Sequence, residues 1–192
     1  KDYLADRRQR ISGSRFTRGD KPPEFPFLES KETTHYSVMD GGGGAVAVTT
    51  TLNGGYGAKV MAPGGFFMNN EMDDFAVAPG VANLYGLVQG KYNAVKAGRR
   101  PLSSMTPTIV VKNGRVDAVI GSPGGPTILT TVMQILLNRY LFKMNPSTAV
   151  TFPRFHRQDF PEKISFEVGR IPSSLRGHFR QLGQPIEAVG GL

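Results

Sequence analysis

The chain has 192 residues, 39% of them hydrophobic, enough for a folded domain with a core. No apolar run approaches the ~20 residues needed to cross a bilayer, and cysteine is absent, which excludes disulfides, thiolate metal sites and cysteine nucleophiles. The formal charge of +8 admits an anionic partner. Its basic residues are scattered, apart from Arg7, Arg8 and Arg10 and the pair Arg99 and Arg100. Neither an aromatic single-strand platform nor a recognition-helix pattern accompanies them, so nucleic acid is not an expected partner.

In chain order, Lys1 to Ile11 has helix-forming composition. Ser12 to Glu32 then reads as an exposed linker, because Pro22, Pro23 and Pro26 break any regular element. Thr33 to Asp40 and Ala45 to Leu52 are β-rich runs joined by Gly41 to Gly44, which predicts a hairpin. A phosphate loop is disfavoured there, since β-branched residues rather than a helix start follow the glycines. Gly54 to Gly65 is a glycine-punctuated loop leading to Phe66, Phe67 and Met68, read as a short buried strand.

Thr108 to Val111 and Val116 to Ile120 flank the Asn113-Gly114 pair, a strong hairpin signal. Ile128, Leu129, Val132, Ile135 and Leu136 recur at helical spacing, predicting a helix from Pro126 to about Tyr140 with one apolar face on a sheet. Ile164 to Val168 reads as a strand and Pro172 to Leu182 as a helix stopped by Gly183. The class is α+β, an antiparallel sheet covered by helices.

Taken singly, Thr33 and Thr34 are good strand residues, His35 an ordinary histidine, Ser103 and Ser104 a polar turn, and Gly124 and Gly125 a bend entering a helix. Glu71 and Asp74 alone are a solvated acidic turn. Several uncommon strings nevertheless occur together and in order. They are Thr33-Thr34-His35-Tyr36-Ser37, Thr51-Leu52-Asn53, Asn69-Asn70-Glu71-Met72-Asp73-Asp74-Phe75, Pro101-Leu102-Ser103-Ser104-Met105 and Gly121-Ser122-Pro123-Gly124-Gly125, with Pro153-Arg154-Phe155-His156 beyond them. Together they resemble the γ-glutamyltranspeptidase family over Thr33 to Gly183.

The resemblance implies the αββα sandwich of the N-terminal-nucleophile hydrolases, made as a precursor that cuts itself between Glu32 and Thr33. It divides the chain into a large-subunit tail and linker, residues 1–32, and a small-subunit catalytic region, residues 33–192, shortened at its C-terminus. Thr33 would be the nucleophile, and its freed α-amine, titrating near ~7.7 to 8.0, would accept the hydroxyl proton. Thr51 would orient that hydroxyl. Asn53, Glu71 and Asp74 would hold the charged end of a γ-glutamyl group, Ser103 and Ser104 its carboxylate, and the Gly124 and Gly125 N–H groups the oxyanion.

The implied reaction passes a γ-glutamyl group from glutathione or a similar donor to water or to an amino acid or peptide acceptor, with no metal and no organic cofactor. The implied partner is the large-subunit segment of the same precursor, and the implied location is periplasmic or extracellular. Two alternatives stay open: a sibling acylase acting on cephalosporin, glutaryl or poly-γ-glutamate substrates, and an inactive basic binding module.

Overall fold

The computed structural model describes residues 5, 33–167 and 171–190. Apart from Ala5, which is helical, the helix and linker expected before Thr33 lie outside the described residues, as do Glu32 and Val168. The chain forms two compact units that divide between Phe152 and Pro153.

In the first unit, β1 (Thr34–Met39) pairs antiparallel with β2 (Ala45–Thr50), with Thr34 opposite Thr50 and Met39 opposite Ala45. Asp40 closes the glycine turn: its Oδ1 accepts from the N–H of Gly42 at 2.9 Å and of Gly44 at 2.7 Å. An aspartate side chain that satisfies turn donors in this way makes the four glycines a defined turn. The second hairpin joins β3 (Thr108–Lys112) to β4 (Arg115–Ile120). Asn113 at φ 53° and Gly114 at φ 74° form the tight turn that matches strand twist, as their residue types predict.

Helix α1 (Thr127–Leu136) follows β4 and buries Ile128, Val132 and Ile135 together with Thr127, Thr131 and Gln134. The expected helix to Tyr140 ends earlier as an α-helix. A wider turn, Leu137–Leu141, replaces it, in which Phe142 N–H reaches back five residues to the Leu137 carbonyl at 2.9 Å. Short helix α2 (Pro146–Thr151) starts on Asn145, whose side chain accepts from Thr148 N–H at 2.9 Å.

One strand expectation is corrected. Residues 66–68 form no strand, only a single bridge from Met61 to Phe67, and Phe66 is 59% exposed. The flanking glycines give the run no partner strand long enough to cover it. Residues 53–106 are instead mostly irregular, with two 3₁₀ turns at Glu71–Asp74 and Lys91–Asn93.

The second unit has a three-stranded sheet in the order β5 (Phe155–Arg157), β6 (Ile164–Glu167), β7 (Ile186–Val189), with helix α3 (Ser173–Gln181) between β6 and β7. The β6–β7 pairing is parallel, unlike the antiparallel arrangement expected throughout, because a helical crossover lets β7 run in the direction of β6. Gly183 at φ 71° stops α3. The N–H groups of Gly183 and Gln184 return to the carbonyls of Arg180 and Phe179. Phe166 packs between Phe155 and Phe179. Arg154 caps this core by a 2.6 Å ion pair to the buried Glu167.

Ile128 is 1% exposed at the centre of the first unit's core. Ile128→Ala is expected to cost about 2–5 kcal/mol of unfolding free energy, read as a lower denaturant midpoint. An unchanged midpoint would show that this face of α1 does not anchor the unit.

Candidate active site

Thr33 lies at the entry to β1, 8% exposed, and Thr51 lies just past the end of β2. Because Thr34 and Thr50 are partners in the ladder, the two threonines flanking that pair come to the same end of the hairpin. After Thr51 the chain turns sharply. Asn53 takes φ 72°, a left-handed conformation that asparagine tolerates better than most residues, and its N–H donates to Thr51 Oγ1 at 2.9 Å. Asn53 is 3% exposed, and its Nδ2 donates to the Asn70 carbonyl at 3.2 Å. Asn70 in turn receives Gly54 N–H at 2.8 Å on its Oδ1 and sends its own N–H to the Leu52 carbonyl. These bonds draw the acidic turn at 71–74 against the end of β2.

Opposite lies the start of α1. Gly124 at φ 130° and Gly125 at φ 56° adopt backbone that a side chain disfavours. A Cβ at Gly124 would stand 2.4 Å from Thr127 Oγ1, and one at Gly125 would stand 3.1 Å from the Tyr85 ring. Thr127 N–H and Oγ1–H both donate to the Gly124 carbonyl, which turns the peptide so that the helix can begin. Among the described residues, the N–H groups of Gly124 and Gly125 have no acceptor. Two adjacent free N–H groups at a helix start make a receptor for negative charge on a reacting oxygen.

These walls border an open cleft lined by Thr33, Thr51, Asn53, Asp74, Ser103, Ser104 and Gly125, with Tyr85, Met105, Pro126 and Ile128. Seven of the residues singled out in the sequence therefore meet in one place. Gly124 is adjacent to the lining, and Glu71 stands behind Asp74, to which its carboxyl is hydrogen-bonded. The apolar groove along α1 is roomier, yet it holds neither Thr33 nor the carboxylates, so chemistry rather than size identifies the site. Among the described residues no group of three or more histidine, aspartate or glutamate side chains is gathered to hold a metal ion.

Tyr85 and Met105 were not anticipated. Tyr85 is 5% exposed and donates its phenolic proton to the Asn53 carbonyl at 2.8 Å. Nothing in an isolated tyrosine within an irregular glycine-containing segment marks it as part of a site; only the fold does. His35, two residues from Thr33, is not in the cleft. Its ring bonds Thr49 Oγ1 at 2.8 Å and Ser37 Oγ at 3.0 Å and lies against Gly121, where an added Cβ would stand 2.1 Å away. It thereby packs the first hairpin onto the segment that leads into Gly124 and Gly125.

The Glu71 and Asp74 carboxyls both hold a proton more tightly than usual. Burial, the adjacent Asp74 charge and the hydrogen bond donated to Asp74 push the Glu71 carboxyl up to about 7. Burial raises Asp74 as well; the bond from Glu71 acts against the rise and the Asp73 charge adds to it. Glu71 Oε1 is buried without a hydrogen-bond partner. Two carboxyls with an unmet acceptor suit a cationic ligand, above all an ammonium, whose charge would favour their ionised forms.

A family model described as Gamma-glutamyltranspeptidase matches residues 1–191. The glutathione hydrolase proenzyme of Escherichia coli strain K12 is 49% identical over 157 residues, 81% of this chain and 27% of that protein. The glutathione hydrolase proenzyme of Pseudomonas sp. strain A14 is 48% identical over 186 residues, 96% of this chain and 32% of that protein. This chain thus spans between a quarter and a third of the length of these curated relatives. In three dimensions it resembles the T380A mutant of Helicobacter pylori gamma-glutamyltranspeptidase, with a TM-score of 0.78 and 49% identity over 81% of this chain and 84% of that one.

The raised Glu71 carboxyl predicts a pH signature. Glu71 is more basic in the fold than when unfolded, so its protonated form stabilises the fold at low pH. That contribution is lost as pH rises from the unfolded value of 4.5 through about 7. Thermal unfolding at pH 5 and pH 8 should therefore show a smaller loss of stability in Glu71→Gln than in the parent. Equal losses would show that the fold does not raise the Glu71 carboxyl.

Proposed function

The chain belongs to the γ-glutamyltranspeptidase family, and on that premise we propose that it is the catalytic part of an enzyme that transfers γ-glutamyl groups through Thr33. The observation that carries this reading is the meeting, in one cleft, of Thr33, the Asn53 and Asp74 wall, Ser103 and Ser104, and the glycine pair with its free N–H groups.

The proposed cycle begins with self-cleavage. The Thr33 hydroxyl attacks the Glu32 carbonyl, the amide becomes an ester, and water opens the ester to leave Glu32 as a carboxylate and Thr33 with a free α-amine. Residues 1–32 then belong to the large-subunit piece and residues 33–192 to the catalytic small-subunit piece. In the mature enzyme that amine takes the hydroxyl proton as Oγ attacks the γ-carbonyl of the donor. Gly124 and Gly125 N–H groups receive the oxyanion, the amine hands its proton to the departing nitrogen, and an acyl ester remains on Thr33. Water or the amino group of an amino acid or peptide then repeats the attack and restores the hydroxyl.

Thr51 suits an orienting role, because its oxygen already accepts the Asn53 N–H and its own proton remains to be donated to Thr33. Glu71 and Asp74 receive the donor's ammonium through their combined negative charge. Ser103 and Ser104, across the cleft, offer hydroxyl and backbone donors to its carboxylate. Such a site needs both charged ends of a free amino acid. That favours glutathione or another γ-glutamyl compound over a glutaryl donor, which lacks the ammonium.

The remainder of the precursor is the proposed partner. Tyr36, Val38, Met39 and Val46 on the first hairpin are 51–54% exposed, and Leu129 and Met133 on α1 with Leu141 at the end of the wider turn are 47–63% exposed. Among the described residues both hairpins are two-stranded sheets with open edges. Apolar surface and unpaired edges of this extent suit an obligate subunit contact. By family resemblance the enzyme is periplasmic or extracellular; among the described residues no helix is long and apolar enough to cross a membrane.

In the full-length protein, Thr33→Ala is expected to abolish cleavage between residues 32 and 33 and to lower γ-glutamyl anilide turnover by about 10³-fold or more. Denaturing electrophoresis and intact mass read the first effect and anilide release the second. Cleavage persisting in this variant would remove Thr33 from its assigned role.

A further inference from the structure

The two arms proposed to grip the charged ends of the donor come from segments 30 residues apart in sequence, the 3₁₀ turn ending at Asp74 and the run containing Ser103 and Ser104. Neither is part of a sheet, so no ladder sets the distance between them. One side chain spans the gap. Asn93, half-buried at the end of the second 3₁₀ turn, donates from Nδ2 to the Asp74 carbonyl at 2.7 Å and accepts Leu102 N–H on Oδ1 at 2.9 Å. Its main chain holds the same place: its carbonyl accepts Ala76 N–H at 3.0 Å and its N–H donates to the Gly90 carbonyl at 3.1 Å. Gln89 Oε1 takes the second Nδ2 proton.

An amide is suited to this task in a way that a carboxylate or a hydroxyl is not. It carries a donor and an acceptor fixed in one plane, so it can bind a carbonyl on one side and an N–H on the other at a set separation. Asp74 is itself in the cleft, and Leu102 directly precedes Ser103. We infer that Asn93 is a positioning residue that sets the span between the ammonium-binding and carboxylate-binding arms, and so selects donors with both charges at amino-acid spacing. Asn93 touches no reacting atom; it acts through Asp74 and Ser103. The inference rests on the γ-glutamyl reading of the cleft.

Substitutions separate the two bonds. Asn93→Ala removes both. Asn93→Asp keeps an acceptor for Leu102 N–H but sets a carboxylate oxygen against the Asp74 carbonyl, so it loosens the ammonium arm alone. The test uses the full-length, self-processed protein and compares a γ-glutamyl anilide with the corresponding glutaryl anilide.

Asn93→Ala is expected to raise KM for the γ-glutamyl donor about tenfold, equivalent to about 1.4 kcal/mol, with kcat changed less than about threefold, because loss of grip without loss of chemistry appears in KM. Asn93→Asp is expected to raise KM for the γ-glutamyl donor while leaving that for the glutaryl donor, which has no ammonium, near its parent value. Self-cleavage at Glu32–Thr33 should proceed as in the parent for both variants. An unchanged KM would overturn the inference, as would equal KM changes for the two donors in Asn93→Asp, or a fall in kcat and melting temperature without a change in KM. If the parent protein turned over neither donor, the γ-glutamyl reading itself would fail, and the inference with it. A parent that works alongside variants that match it would remove the role of Asn93 alone.

Discussion

The cleft depends on one buried phenol. Tyr85 donates to the Asn53 carbonyl at 2.8 Å, and its ring lies close against Gly125, 3.1 Å from where a Cβ there would stand. The same side chain thus holds the wall continuous with β2 and rests on the wall that begins α1. A buried hydroxyl must find an acceptor, and the positive-φ turn at Asn53 presents one in the right direction because Thr51 Oγ1 has fixed the Asn53 N–H. Tyr85 is held in its turn by Asn83, whose Oδ1 accepts the N–H groups of Tyr85 and Leu87, and by Asp73, whose Oδ2 accepts Leu84 N–H. The acidic turn and the tyrosine loop are therefore set by one another.

This is how a long segment without strands or ordinary helices can hold a defined shape. Residues 53–106 pair their backbone groups through short turns and isolated bridges in place of ladders, and asparagine and aspartate side chains take up further main-chain groups. Asn53, Asn69, Asn70, Asp73, Asn83 and Asn93 each bond main-chain groups of this segment. Burial of two carboxyls in the same region then raises their affinity for a proton, and the same crowding gives a cation a reason to bind.

Legibility in the sequence followed the range of the interactions. Both hairpins were readable because Asn113-Gly114 and the glycines after Asp40 dictate the turn from within. Helix α1 was readable from Ile128, Val132 and Ile135, but its end was not. The wider turn at 137–141 involves Asn138, which is buried against α2 and donates to the Ala149 carbonyl, a contact that periodicity cannot express. The run Phe66 to Met68 had the composition of a strand and became an exposed loop, because composition says nothing about whether a partner strand exists.

The sequence by itself determined the elements whose causes are local, turns set by glycine and asparagine and a helix set by apolar spacing, while the nucleophile, the two carboxylates and the glycine pair were named only through the resemblance of its ordered strings to a family. The tertiary structure alone decided that Thr33, Asp74, Ser103 and Gly125 share a cleft, that Tyr85 braces it, that Asn93 bridges two of its arms, and that His35 serves packing near Gly121. The physical reason is that these outcomes rest on hydrogen bonds and contacts between residues far apart in the chain. Their existence depends on where the backbone has already gone, and no residue type or spacing encodes that position on its own.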